Sequence, residues 1–131
     1  MTVKQRISHP EVADPPPQTW SNCLVVGDWI YTAGMTARDG AAILANDEYG
    51  QARAIFKKIE KLLAAAGAGM NDVVKVVIYV TDISRREEVW RARREFFAEP
   101  FPVSTLVEVA ALAMPALKVE IEAVACRGAA G

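Results

Sequence analysis

The first stretch of the chain, residues 1–18, is dominated by polar positions and broken by Pro10, Pro15, Pro16 and Pro17. Proline fixes φ and removes a backbone donor, so the pattern excludes a helix, restricts strand pairing and predicts an extended lead-in. Two short apolar runs of β-branched and aromatic character follow, Cys23–Val26 and Trp29–Thr32, divided by Gly27-Asp28. A two-residue link of that kind favours a tight turn, and a β-hairpin is expected. Residues 36–45 include Arg38-Asp39-Gly40, hold no sustained period and read as a loop.

A helical period then sets in. Ala52, Ile55, Phe56, Ile59, Leu62, Leu63 and Ala66 recur at the spacing of one helix face, with Arg53, Lys57, Lys58, Glu60 and Lys61 on the other side. Asn46 is the expected N-cap, Asp47 and Glu48 complement the positive end of the helix dipole, and Gly67 and Gly69 supply the stop. Residues 73–81 form an almost unbroken β-branched run, the composition of a central strand covered on both faces. Ser84 with Glu87 three residues on reads as a capping box opening a second helix, whose buried stripe is Val89, Trp90, Ala92, Phe96 and Phe97. Pro100 and Pro102 end that helix, and residues 105–110 and 118–125 read as two strands joined through a loop containing Pro115.

The order β-β-α-β-α-β-β with two one-sided helices predicts a two-layer α/β (α+β) sandwich, both helices on one face of a sheet. In residues 118–125, Val119, Ile121, Ala123 and Ala125 alternate with Lys118, Glu120, Glu122 and Val124, so one pleat face carries carboxylates. The sheet face without helices is too apolar to be left wet, and association with further copies of the chain is expected.

At 131 residues the chain is read as a single domain spanning residues 1–131, and 52% apolar with 24% charged residues argues against disorder. Lys and Arg number 15 against 16 Asp and Glu, so no long-range field draws the chain to nucleic acid or anionic lipid. Cys23 and Cys126 lack CxxC spacing and are expected as reduced, apolar thiols. No apolar run has the length of a membrane span, and the expectation is a soluble cytoplasmic protein without membrane partners.

Phosphate-binding glycine loops, HExxH, GxSxG and metal-spaced Cys/His clusters are absent from the sequence, so neither a metal nor a cofactor is expected. His9 is the only histidine and stands in the proline-rich lead-in, where a solvated or turn-capping role is expected of it rather than a catalytic one. The arginines between residues 85 and 94 are interleaved with Glu87, Glu88 and Glu95, the pattern of a salt-bridged solvent face. Trp20 followed by Ser21-Asn22 offers an aromatic wall and two polar groups for the mouth of a cleft, or a core anchor.

Val26-Gly27-Asp28-Trp29-Ile30-Tyr31-Thr32-Ala33-Gly34, Ala64-Ala65-Ala66-Gly67, Asp72-Val73-Val74-Lys75-Val76, Leu106-Val107-Glu108-Val109-Ala110 and Val119-Glu120-Ile121-Glu122-Ala123-Val124-Ala125 together resemble the RidA/YjgF family of small imine and enamine deaminases. The resemblance covers nearly the whole chain. It implies a chorismate-mutase-like fold, a homotrimer whose sheets form a central barrel, and one ligand cleft at each subunit interface. It also implies that Glu120 is the acidic residue orienting water, that Gly34 is the glycine beside the cleft, and that Trp20 and Asn22 stand where the family has a tyrosine and a polar residue.

Deaminases of the family hold the substrate carboxylate with an arginine just before the VEVA segment, and the matching position here is Ser104. Loss of such a charge-assisted fork weakens binding by about 1.5–3 kcal/mol, so the usual 2-aminoacrylate-type substrate loses its main anchor. Trp90 stands where the family often has asparagine and implies a flatter or more apolar ligand; Arg38 and Arg93 are the candidates for a relocated cation. The leading expectation is hydrolysis of an enamine- or imine-type C–N bond in a small metabolite. A non-catalytic metabolite-binding trimer and a ribonuclease or translation inhibitor are the alternatives, and fold alone does not choose among them.

Overall fold

The structure is a computed structural model and describes residues 3–131. Its elements run β1 (Lys4–Ile7), β2 (Cys23–Val26), β3 (Trp29–Thr32), β4 (Arg38–Asp39), β5 (Ala42–Ile43), α1 (Glu48–Ala65), β6 (Val73–Val80), α2 (Arg86–Phe96), β7 (Val103–Glu108) and β8 (Val119–Cys126). One sheet takes the order β1-β2-β3-β8-β6-β7, and β4 pairs with β5 in a separate two-stranded ladder. Every neighbouring pair in the sheet is antiparallel except β6 with β7. That parallel pair needs a crossover, and α2 provides it.

Both helices cover one face of this mixed α/β sheet. Phe56 of α1 meets Phe96 and Phe97 at the end of α2 with ring centroids 5.3 and 5.5 Å apart. Beneath them Ile55, Ile59, Leu62 and Leu63 of α1 join Ile30, Val76, Ile78, Val80, Val119 and Ile121 of the sheet in one buried cluster. The alternate strand positions point the other way, where Trp29 and Tyr31 are each 46% exposed and Val103 66% exposed.

Several boundaries differ from the sequence reading, each for a local reason. The lead-in includes a strand, β1, because Lys4, Gln5 and Arg6 are ladder-competent edge residues that lie ahead of the prolines and pair with β2. Residues 36–45 are more than a loop, since β4 and β5 close across Gly40 at φ 61°. Helix α1 is capped by Asp47 rather than Asn46, its carboxylate accepting the Gly50 N–H at 2.7 Å. The second helix starts one residue later than a Ser84 cap implies: Asp82 accepts from the Ser84 N–H and hydroxyl, Ile83–Arg85 form a 3-10 turn, and Arg85 is the N-cap of α2. Trp90 is half-buried rather than core, and β7 begins at Val103, two residues ahead of the expected start.

Other expectations are met. The hairpin turns at Gly27, φ 62°, with Val26 opposite Trp29. Gly67, φ 79°, ends α1 in a Schellman arrangement, with the Gly67 and Ala68 N–H groups donating to the Ala64 and Leu63 carbonyls. His9 caps a turn, its Nδ1 accepting the Glu11 N–H at 3.0 Å. Both cysteines are free thiols, and burial pushes the Cys23 thiol up to about 11.

Candidate functional site

The first cluster arises where β3 loses its register with β8. Tyr31 pairs with Val124, and the next backbone pairing is Met35 with Ile121, so β3 spends one more residue than β8 over the same span. The extra residue is a bulge that bends the chain outward. Thr32 fills the interrupted ladder with its side chain, Oγ1 accepting the Ala123 N–H at 3.0 Å. Pairing resumes when the Met35 N–H donates to the Ile121 carbonyl at 2.8 Å and the Ile121 N–H returns a bond at 3.0 Å.

This geometry sets Gly34 directly against Glu120. A Cβ on Gly34 would lie 2.8 Å from the Glu120 Cδ and 3.0 Å from its Cγ, so glycine is required for the carboxyl to rest against the backbone. Glu120 is half-buried on the sheet face without helices, and burial, then the neighbouring Glu122 charge, raises its carboxyl above its ordinary value. Tyr79, the cross-strand partner of Glu120, donates its hydroxyl to Glu122 Oε1 at 2.6 Å. Sequence reading missed Tyr79. Its alternation within the β-branched run marked a face, but only the β6–β8 register brings it to the two carboxylates.

The second cluster lies at the β7 edge of the sheet and on its other face. Ser104 pairs with the buried Val76, which turns its side chain toward the helix layer. There Arg93 of α2 donates from Nη1 to Ser104 Oγ at 2.8 Å. Its guanidinium also stands 5.7 Å from the centre of the Trp90 ring, and that of Arg86 stands 5.8 Å from the same centre. Arg93, Arg94, Phe97, Phe101, Pro102 and Ser104 line a cleft of about 440 Å³. Three residues singled out in the sequence, Trp90, Arg93 and Ser104, therefore meet in one place.

Trp20, Asn22 and Arg38 form a third group, around a groove of about 530 Å³ walled by Pro15, Pro16, Pro17 and Met35. Trp20 is 54% exposed and lines this groove, so it does not anchor the core. Asn22 is committed to structure, because it is buried and its Nδ2 donates to the Ala13 carbonyl at 2.9 Å, fastening the lead-in to β2. Arg38 spends its Nε on the Gly40 carbonyl at 2.8 Å within its own turn. Lys58 supports the same loop by donating to the Thr36 carbonyl at 2.8 Å and to the Arg38 carbonyl.

Of the remaining arginines of α2, Arg94 lines the same cleft as Arg93 and Arg91 is paired. Arg91 bonds Glu88 at 2.7 Å and lies 3.6 Å from the centre of the Tyr49 ring, while Glu95 accepts from the Tyr49 hydroxyl and pairs with Arg53 of α1 at 3.1 Å. The salt-bridged face was expected, but its partners include α1 as well as α2 itself. Among the described residues no group of His, Cys, Asp and Glu has the arrangement of a metal site, and no helix is long and apolar enough to cross a membrane.

A sheet with two helices on one face, bulged to seat a glycine against a carboxyl, defines the class, and comparison with known proteins gives the family. The family description endoribonuclease L-PSP matches residues 11–127. A RutC family protein of Pyrococcus abyssi is 33% identical over 117 residues, covering 88% of this chain and 91% of that one. A protein of Dermatophagoides farinae named 2-iminobutanoate/2-iminopropanoate deaminase is 34% identical over 129 residues, covering 95% and 97%. The crystal structure of a Pseudomonas aeruginosa protein of unknown function, PA3499, superposes with a TM-score of 0.88 at 40% identity, covering 98% of this chain and 95% of that one. The chain belongs to the RidA/YjgF family.

Proposed function

We propose that this protein hydrolyses an enamine- or imine-type C–N bond of a small metabolite, in clefts formed between the subunits of a homotrimer. The observation carrying this reading is the Gly34–Glu120 contact, which holds a carboxyl of raised pKa against backbone at the edge of a bulge. Ionised, a carboxyl in that state can take a proton from water as the water adds to the C=N carbon. It then returns that proton to the nitrogen to give a carbinolamine, and it relays the remaining O–H proton to the same nitrogen as the C–N bond breaks, so that ammonia leaves and the carbon keeps the oxygen as a carbonyl. Glu120 is the catalytic residue of this reading, and the family relatives named as iminobutanoate and iminopropanoate deaminases support the reaction type.

Two observations support the trimer. The face bearing Trp29, Tyr31 and Val103 exposes these large apolar side chains beside its carboxylates and has no cover within the chain. The Glu120 and Arg93 clusters lie on opposite faces of one sheet, so a small ligand touching both must take one from each of two copies. A metabolite is favoured over RNA as the partner because the chain's net charge is -1 and most of the α2 arginines are internally paired or stacked. Free Cys23 and Cys126 favour the cytoplasm as the working compartment.

Because Ser104 occupies the position where the family's deaminases carry an arginine, turnover of 2-aminoacrylate is expected to be weak. The test is ammonia release from a panel of enamine and imine acids, with light scattering on the same samples. Glu120→Gln is expected to keep the trimer and lose turnover of the best substrate. Full activity of that variant, or a monodisperse wild-type monomer at micromolar concentration, refutes the reading. Strong turnover of 2-aminoacrylate refutes its substrate assignment.

A further inference from the structure

We infer, resting on the hydrolase reading above, that Arg93 with Ser104 forms the ligand-carboxylate anchor of this protein, and that the anchored ligand is a flat, conjugated or aromatic acid. The charge has moved from the strand to the helix. Ser104 on β7 is too short and neutral to hold an anion, yet its hydroxyl receives one arm of a guanidinium projected from α2, 2.8 Å away. A guanidinium has five N–H donors in a planar fork, and this contact uses only one of them.

The surroundings of Arg93 leave its charge unanswered. Its neighbours on the cleft wall are Arg94, Phe97, Phe101, Pro102 and Ser104, none of which is acidic. Of the acidic residues of α2, Glu88 is engaged with Arg91 and Glu95 with Arg53 and Tyr49, while Glu87 in the first turn makes no ion pair with Arg93. Burial, then the like charge of Arg94, pushes the Arg93 guanidinium below its ordinary value, as expected of a cation without a counter-ion. A carboxylate entering the cleft supplies that counter-ion, accepting from the free guanidinium arm and, once the hydroxyl proton rotates, from Ser104.

The cleft walls select the rest of the ligand. Phe97 and Phe101 present aromatic surface beside the cation, and the centre of the Trp90 ring lies 5.7 Å from the guanidinium. A volume of about 440 Å³ accommodates a ring or conjugated chain in addition to a carboxylate. Arg38, the other candidate cation, lines a different groove and already donates within its own turn.

The test titrates the full-length protein with benzoate and with benzamide, its neutral isostere, following backbone amide shifts by NMR. Benzoate is expected to shift resonances around Arg93 and Ser104 and to bind at least about 10-fold more tightly than benzamide. Arg93→Gln is expected to weaken benzoate by about 10- to 100-fold, and Arg93→Lys, which keeps the charge without the fork, by less. Lys57→Gln, which removes an equal charge from the outer side of α1, should change affinity less than about twofold. The exchange variant Arg93→Ser with Ser104→Arg should recover most of the benzoate affinity.

Absence of benzoate binding, equal binding of benzamide, or unchanged benzoate affinity in a folded Arg93→Gln variant overturns the inference. The two readings fail separately. Benzoate binding that depends on Arg93 upholds the anchor even if no ammonia is ever released, and ammonia release with benzoate binding indifferent to Arg93 upholds only the hydrolase.

Discussion

Gln51 is fully buried within α1 and holds three backbone groups at once: its Nε2 donates to the Ala45 carbonyl at 3.1 Å and the Ala116 carbonyl at 2.9 Å, and its Oε1 accepts the Lys118 N–H at 2.8 Å. The last of these lies two residues before Glu120, so the amide fixes the start of β8 and with it the position of the carboxyl. Gln51→Ala removes all three bonds. At about 1 kcal/mol each they sum to roughly 3 kcal/mol, the low end of the orphan-group range being chosen because Ala116 and Lys118 are partly open to water. Gln51→Leu restores volume but no partner, and it is expected to recover less than about 1 kcal/mol of that loss. With a urea slope of about 1–3 kcal/mol/M for a domain of this size, the midpoint of Gln51→Ala should fall by roughly 1–3 M. Circular dichroism at one fixed protein concentration reads this directly and keeps any subunit association constant. A midpoint within about 0.3 M of wild type, or full recovery in Gln51→Leu, refutes the view that the amide's polar contacts rather than its bulk hold this junction.

Two further outcomes follow from the bulge. Gly34→Ala places a methyl against the Glu120 Cδ, and since the carboxyl ends a flexible side chain it should swing aside at a cost of about 1 kcal/mol while turnover falls at least about 10-fold; a large loss of stability with turnover intact contradicts this. The pKa of Glu120 is raised in the fold, so its stabilising contribution is fully present below the ordinary carboxyl value and is lost as pH rises through the folded value. Glu120→Gln lacks this dependence and should gain stability relative to wild type across that window, whereas a difference that stays flat with pH in chemical denaturation speaks against the shift.

Periodicity made the main frame legible. The β2–β3 hairpin, α1 and β8 are elements whose local pattern and tertiary fate agree, whereas β6 was legible as a strand from its β-branched run but is covered within the chain on one face only, not on both. β1 was hidden because Lys4, Gln5 and Arg6 are all exposed, so an edge strand paired through its backbone leaves no apolar alternation to read. The cap of α1 falls on Asp47 rather than Asn46 because both cap well and the chain's entry into the helix decides, whereas Ser84 is taken up in a 3-10 turn capped by Asp82 ahead of α2. Gly34 and Glu120 were marked by resemblance, but their contact depends on a bulge that no local pattern encodes. The meeting of Arg93 with Ser104 is likewise set by the crossover that lays α2 beside β7, although the two residues are only 11 positions apart.

The placement of Glu120 and Arg93 on opposite faces of the sheet has a genetic consequence. If each cleft takes its carboxyl from one copy and its guanidinium from the next, a lesion at either residue is a property of the cleft and not of the chain that carries it. Two alleles, one defective at Glu120 and the other at Arg93, would then complement when expressed together. Random mixing would pair a sound carboxyl with a sound guanidinium in roughly one cleft in four, so function would return with no wild-type subunit in the cell.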